Sequence, residues 1–221
     1  MPQEFVEYRE SWGRHHPGWE MRLWTEESLP TDLVRKEAYE RLRKPAERAD
    51  IIRLEVLLRF GGVYVDTDFE CLRSIGPLLE GVDFCTVAIK PGRVSNTLIG
   101  ARPGHPILER AVREVRPRTE YGLDKSATGP LFFNKLIRQY PEVTIFPTEY
   151  FYPATPGQRE RAFAVHHFTR SWQDPEDLRR AVRKAELKLA EARERIEELE
   201  RRRWKNRIVR FLRAIRYGRR R

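Results

Sequence analysis

The sequence predicts an α/β domain followed by a helical extension. Three observations carry this reading. First, residues 49–75 read ADIIRLEVLLRFGGVYVDTDFECLRSI. An apolar helical segment runs into Gly61-Gly62 and then into the short run Val63-Tyr64-Val65. Glycine just past a helix adopts the left-handed backbone that ends it, and Val-Tyr-Val suits a buried strand. Second, further strand-like runs at 84–89, 143–146 and 163–168 are separated by helical segments. Third, the composition changes at Asp174 to a charged helical pattern that persists to the end.

Bulk properties fit one domain with an appended segment. The chain has 221 residues, 40% of them hydrophobic and 34% charged. The net charge of +10 is uneven. From Arg201 to Arg221 there are eleven Arg or Lys and no Asp or Glu. Removing these eleven from 43 leaves 32 basic against 33 acidic residues, so the basicity belongs to the tail. The two cysteines, Cys71 and Cys85, form no disulfide framework, and a reducing compartment is the simpler expectation. No uncharged apolar run approaches the roughly 20 residues that span a bilayer. The opening MPQEFVEYRESW carries charges where a signal peptide would be apolar.

In chain order, residues 3–12 predict a short helix with Phe5, Tyr8 and Trp12 on one side. His15 and His16 precede Pro17 and are expected in a solvated loop. Pro17-Gly18 is a turn, and Trp19 to Trp24 alternates as a strand would. Residues 31–44 read as helix, broken or restarted at Pro45. In the next helix Asp50 and Arg53 lie three apart on one face, where an ordinary ion pair is the plain alternative to a binding role. Glu55 and Arg59 read as a solvated pair. Asp66 and Asp68 are two apart at a strand end, so on a continuing strand they share a face. Such carboxylates raise each other's pKa unless a cation lies between them. Hard oxygens suit Mg²⁺ or Mn²⁺, ions often shared with substrate phosphates. Asp-x-Asp pairs are also common in turns, so context decides.

Beyond them, Ile107 to Val115 is an amphipathic helix that would cover the sheet. Thr128-Gly129-Pro130 opens another helix, whose free N–H groups favour anions or hydroxyls. Phe151-Tyr152-Pro153 is an aromatic loop. Phe163 to Phe168 reads FAVHHF, and on a strand His166 and His167 face opposite ways. In the extension, Leu178, Val182, Ala185, Leu189, Ala192, Ile196 and Leu199 make a heptad seam. It would pair with a second copy or lie against the body. Trp204, Ile208, Phe211, Leu212 and Ile215 then form an apolar face among arginines, the pattern of a membrane-surface helix. Nucleic acid is not expected, because these aromatics lie on the apolar face.

Ala49, Asp50, Arg53, Leu57, Gly61, Gly62, Tyr64, Asp66 and Asp68 fall on the pattern A-D-x-x-R-x-x-x-L-x-x-x-G-G-x-Y-x-D-x-D. This stretch resembles the Asp-x-Asp glycosyltransferases of family 32 and their relatives, the large clostridial glucosylating toxins. The resemblance extends to HPGW and LW within 16–24, to Asn96 before the A-x-P-G-H-P turn, to Thr128-Gly129-Pro130, and to His166-His167 followed by Ser171-Trp172. It implies a GT-A type fold, a Rossmann-like mixed sheet flanked by helices, over residues 1–172. A heptad helix over 173–200 and a basic amphipathic tail over 201–221 follow. The family's first strand has no counterpart in this sequence, so the expectation is either that the true start lies further upstream or that the strand is missing.

The implied activity is metal-dependent retaining transfer of a sugar from a UDP- or GDP-linked donor to a glycan or glycolipid acceptor, in surface polysaccharide synthesis. Asp66 and Asp68 are the implied catalytic residues. Asp50, Arg53, Tyr64, Asp66, Ser171 and Trp172 would bind the donor. Asp68, Asp66 and His167 would hold Mn²⁺ or Mg²⁺, an imidazole being less apt for Mg²⁺. Asp124, Thr128 and Gly129 would lie on the acceptor side. The tail would hold the enzyme at an anionic membrane on its cytoplasmic face, and the heptad helix would join copies into a homo-oligomer. The alternative is a non-catalytic adaptor that recruits partners to a membrane.

Overall fold

The computed structural model describes residues 2–42, 44–116, 128–169 and 175–218. The chain divides into two units, residues 1–169 and 170–221. The first contains helices α1 (Gln3–His15), α2 (Lys36–Arg41), α3 (Pro45–Phe60), α4 (Pro106–Glu114), α5 (Gly129–Ile137), α6 (Thr148–Phe151) and α7 (Pro156–Arg159). Its strands are β1 (Gly62–Val65), β2 (Phe69–Cys71), β3 (Phe84–Lys90), β4 (Arg93–Ala101), β5 (Thr144–Phe146) and β6 (Ala164–His166). The described part of the second unit is one 44-residue helix, α8 (Pro175–Gly218).

The main sheet has the order β1-β4-β3-β5. β1, β4 and β3 run antiparallel in turn, and β5 is parallel to β3. Alternation along the strands divides the core. Phe84, Val94 and Ile99 join a cluster with Leu54 and Leu57 of α3, Leu108 and Val112 of α4, and Phe133 and Leu136 of α5. Cys85, Val87 and Leu98 join a second cluster with Trp12 of α1, Phe69, Phe151 and Ala164. A two-stranded antiparallel sheet, β2-β6, belongs to that second cluster. The expected class, a mixed α/β sheet flanked by helices, is found.

The turn that delivers β1 follows from its sequence. Pro45 occupies the first turn of α3, where its missing N–H costs nothing. Gly61 closes the helix at φ 64°, with its N–H bonded to the Leu57 carbonyl at 2.9 Å. A Cβ there would strike the Pro103 ring, so glycine is required twice over.

Several expectations are corrected. No strand forms over 19–24: residues 20–24 make no described backbone–backbone bond, so the alternation there has no ladder to join. The helix expected over 31–44 is confined to Lys36–Arg41. His16 is buried, not solvated. Its Nδ1 lies 3.0 Å from the Trp12 carbonyl, and its Nε2 accepts the Ile75 N–H at 2.9 Å. Glu55 is also buried and accepts the Val34 and Arg35 N–H groups, while Arg59 pairs with Asp32 instead. The long central strand β4 was not anticipated.

Candidate metal and donor site

The site sits where β1 ends and β2 begins. Asp66 follows the last residue of β1, and its N–H still bonds to the Thr97 carbonyl of β4 at 2.9 Å. The chain then turns, and Phe69 enters the second sheet. The two aspartates therefore do not share the face of one continuous strand. They converge because the turn between two sheets brings them together.

Arg53 anchors this arrangement from below. It is 5% exposed, on the buried side of α3. Its Nη1 donates to Asp66 Oδ1 at 3.1 Å and to the Asn96 carbonyl at 2.5 Å. Its Nη2 lies 3.2 Å from Asp50 Oδ1, and its Nε donates to the Ala49 carbonyl at 3.1 Å. The guanidinium also lies 4.8 Å from the centre of the Tyr64 ring, a cation–π contact. Burial works against this charge, but Asp66, Tyr64 and Asp50 more than restore it, so its pKa is raised. The motif residues Asp50, Arg53, Tyr64 and Asp66 are thus one partly buried network around a buried arginine. Tyr64 completes it by donating its hydroxyl to Asp66 Oδ1 at 3.0 Å.

The two aspartates differ electrostatically. Burial pushes the Asp66 carboxyl up, and Arg53 and the Tyr64 hydroxyl only partly counter it. Burial also raises Asp68, but the bonds from His166 and Thr169 outweigh it, so Asp68 is held below the usual carboxylate range. His166 Nε2 lies 3.0 Å from Asp68 Oδ1, and the Thr169 N–H reaches Asp68 Oδ2 at 3.2 Å.

Asp66, Asp68 and His166 each present a ligand atom, and these lie within 4.8 Å of one another. Two hard oxygens with one imidazole suit Mn²⁺. His166 Nδ1 is buried without a described partner, and no described hydrogen bond uses Asp66 Oδ2. The donor set therefore fits a divalent ion.

The structure groups His166, and not the expected His167, with the two aspartates. β6 sets His166 opposite Phe69, and the two rings stack at 4.5 Å. His167 faces the other way. Its Nε2 lies 3.0 Å from Glu70 Oε2, and its ring stacks on Tyr8 at 4.4 Å and 3°. Glu70 also binds Arg159 at 2.8 Å. Burial raises Glu70, and the Arg159 and His167 bonds outweigh it, so its pKa is lowered.

On the opposite side of Arg53, Asp50 Oδ1 accepts from Asn96 Nδ2 at 2.8 Å. Asp50 also approaches the start of α5. Gly129 has φ 71°, and a Cβ on it would lie 2.8 Å from Asp50 Oδ2. Thr128 is fully buried, and its hydroxyl has no described partner. Gly129 therefore lies against the Asp50 end of the network. Asp124, Ser171 and Trp172 lie outside the described residues.

Sequence reasoning missed Asn96, Thr97 and Tyr152 as site residues. The Tyr152 hydroxyl lies 2.5 Å from Thr97 Oγ1, and its ring packs edge-on against His166. A signal existed for β4. Lys90 and Arg93 pair across Pro91-Gly92, a two-residue turn between two strand-like runs.

Residues 2–85 match the family model described as "Glycosyltransferase sugar-binding region containing DXD motif". Mannosyl phosphorylinositol ceramide synthase SUR1 of Saccharomyces cerevisiae is 32% identical over 63% of this chain and 39% of its own length. Inositol phosphoceramide mannosyltransferase 3 of Schizosaccharomyces pombe is 32% identical over 61% of this chain and 40% of its own. The chain thus spans about two fifths of the length of these two relatives. A solved structure titled "PaToxG Glycosyltransferase" overlays with a TM-score of 0.49 at 18% identity, over 63% of each chain, too loose a likeness to argue from. The resemblance to the family-32 glycosyltransferases holds over the region that carries the paired aspartates.

Proposed function

We propose, for a chain whose residues 2–85 are a family-32-like Asp-x-Asp region, a metal-dependent retaining glycosyltransferase. The donor is a UDP- or GDP-linked sugar. The acceptor is a glycolipid, and the names of the relatives favour mannose as the sugar and an inositol-phosphate lipid as the acceptor. The observation that carries the reading is the convergence of Asp66, Asp68 and His166 above a buried arginine.

Each residue has a physical role in this reading. Asp66, Asp68 and His166 would hold Mn²⁺, or Mg²⁺ less aptly, and the bound ion would offset the charge of the departing diphosphate. Arg53 positions Asp66 and Asp50 together, and its inward N–H groups make it a positioning residue more than a sugar contact. Asp50, near Gly129, would orient sugar hydroxyls, which lowers the entropic part of the barrier. Ser171 and Trp172 stay assigned to the donor phosphates, and Asp124 to the acceptor side, by resemblance.

The extension supports membrane delivery. Among the described residues no helix is long and apolar enough to cross a membrane. The basic tail would instead place the enzyme on an anionic leaflet where a lipid acceptor resides. On the heptad seam, Val182, Leu189, Ile196 and Leu199 are exposed and available to a second copy.

The test is release of nucleoside diphosphate from GDP-mannose and UDP-glucose by the purified chain. Turnover or binding that needs Mn²⁺, stops with EDTA and is lost in Asp68→Asn supports the reading. Failure of both donors to bind with Mn²⁺ present would overturn it.

A further inference from the structure

The exposed seam of α8 is complementary to itself in one orientation. From Val182 to Leu199 it reads Val182, Ala185, Leu189, Ala192, Ile196, Leu199, and all six are exposed. Large residues sit on either side of each alanine. Along one flank of the seam run Arg179, Glu186, Arg193 and Glu200, seven apart and alternating in sign. All four are exposed, and none has a described ion pair, although Arg201 and Glu197 on the same helix do. The other flank carries Lys188 and Arg195.

A heptad seam buries itself against another helix by knobs-into-holes packing. Were two copies of α8 parallel, each seam residue would face its own counterpart. Ala185 would then meet Ala185, and Ala192 would meet Ala192, leaving voids beside the Leu189 layer. The flanks would cross over, so Lys188 would meet Arg193 and Arg195 would meet Glu200. Repulsion and attraction would cancel.

Reversing one helix changes both terms. Leu189 then faces Ala192, Ile196 faces Ala185 and Val182 faces Leu199, so each alanine receives a large partner. Each flank now meets its own copy. Glu186 of one copy lies against Arg193 of the other, and Arg179 against Glu200. Two-fold symmetry makes each contact occur twice. Four opposite-charge contacts therefore stand against two between Lys188 and Arg195. Sliding by one heptad sets Arg193 on Arg193 and Glu186 on Glu200. Sliding the other way sets Glu186 on Glu186 and Arg179 on Arg193. The alternation of charge thus specifies a single register.

We infer that α8 pairs antiparallel with α8 of a second copy of this chain over residues 179–200, with the two-fold axis between Leu189 and Ala192. The basic segments then start at opposite ends of the paired region, about 30 Å apart at 1.5 Å per residue. This deepens the reading of the seam as a contact between copies and does not rest on sugar transfer.

The experiment uses the full chain with single cysteines added, Ala185→Cys or Ile196→Cys. The native Cys71 and Cys85 are buried and do not compete. Under mild oxidation, a mixture of the two variants should form a disulfide-linked dimer. Each variant alone should give at least about tenfold less, because in the antiparallel pair the two 185 positions are offset by about 16 Å along the helices, beyond disulfide reach. Sedimentation equilibrium of the unaltered chain should show a concentration-dependent dimer. Arg193→Glu should weaken it at least about fivefold by setting like charges on Glu186, whereas a parallel pair would be tightened through Lys188. Arg193→Lys, of unchanged charge, should dimerise as the parent does. Self-linking by each variant alone, or tighter dimerisation by Arg193→Glu, would overturn the orientation and leave the seam as a contact between copies. A dimer that forms no link in any combination would place the contact elsewhere on the chain and overturn the inference. A monomer at all concentrations up to about 100 μM would overturn the pairing and the reading of the seam together.

Discussion

Arg53 stands 3.1 Å from Asp66 through one terminal nitrogen and 3.2 Å from Asp50 through the other, both to Oδ1. One buried cation thus couples the first two of the three aspartates in the sequence motif. It follows that Arg53→Ala should act first on stability. It would leave Asp66 and Asp50 without their counter-charge, and breaking a buried pair this way costs about 3–5 kcal/mol. Urea unfolding should show that loss. Arg53→Lys should recover only part of it, because an ammonium cannot reach both carboxylates in the planar fork. A loss below about 1 kcal/mol for Arg53→Ala would show that the network is not an anchor.

The two histidines separate cleanly. His166→Ala should weaken Mn²⁺-dependent nucleotide binding at least about tenfold, the loss expected even for supporting residues of a metal site. His167→Ala should leave that affinity within about threefold, since its ring pairs with Glu70 and Tyr8. Calorimetry with Mn²⁺ and GDP or UDP reads both. The reverse order would return the ligand to His167.

This pair shows how far the sequence could be read. Period-two logic established that only one of the two histidines can reach the aspartates. It could not choose between them, because the choice depends on the β2–β6 register, which sets His166 opposite Phe69. Asp50, Arg53, Tyr64, Asp66 and Asp68 were legible because their spacing is local to one helix, turn and strand. Asn96 and Thr97 serve the same network from β4, 43 residues from Arg53 and 97 − 66 = 31 from Asp66 respectively, separations that periodicity does not report. Burial misled the reading at His16 and Glu55, where polar side chains satisfy distant backbone N–H groups.

Gly129 should not tolerate a side chain. Its φ of 71° already favours glycine, and the added Cβ would meet Asp50 Oδ2 at 2.8 Å. Gly129→Ala should destabilise the fold by more than about 1 kcal/mol. It should also weaken use of the intact nucleotide sugar more than binding of the bare nucleotide, if Asp50 orients the sugar. Thermal unfolding and a comparison of GDP-mannose with GDP read the two effects separately.

Neither thiol should react in the native state. Cys71 and Cys85 are free and buried. Burial pushes Cys71 up to about 12 and Cys85 up to about 11. At pH 8 the reactive thiolate is then on the order of one part in 10⁴ and 10³ respectively. Alkylation with iodoacetamide should stay near zero until denaturant is added, and should then reach both residues. Rapid native labelling of either would contradict its burial.

The tail offers the last test. α8 runs unbroken to Gly218, so the heptad segment and the basic segment form one helix. Residues 201–221 carry eleven basic residues and no acidic one. Trp204, on the same segment, is 63% exposed. Each basic residue near an anionic leaflet contributes about 1 kcal/mol, and an apolar face adds area-dependent burial. The intact chain should therefore sediment with phosphatidylserine-containing vesicles and not with neutral ones. A version ending at Glu200 should stay in solution and keep its donor hydrolysis, because the described site residues all lie within 50–169. High salt should weaken the attachment without abolishing it, since screening acts on the charges and not on the apolar face. Equal co-sedimentation of the shortened chain would remove the tail as anchor. Indifference to anionic vesicles, with binding to duplex DNA at physiological salt, would assign the tail to nucleic acid.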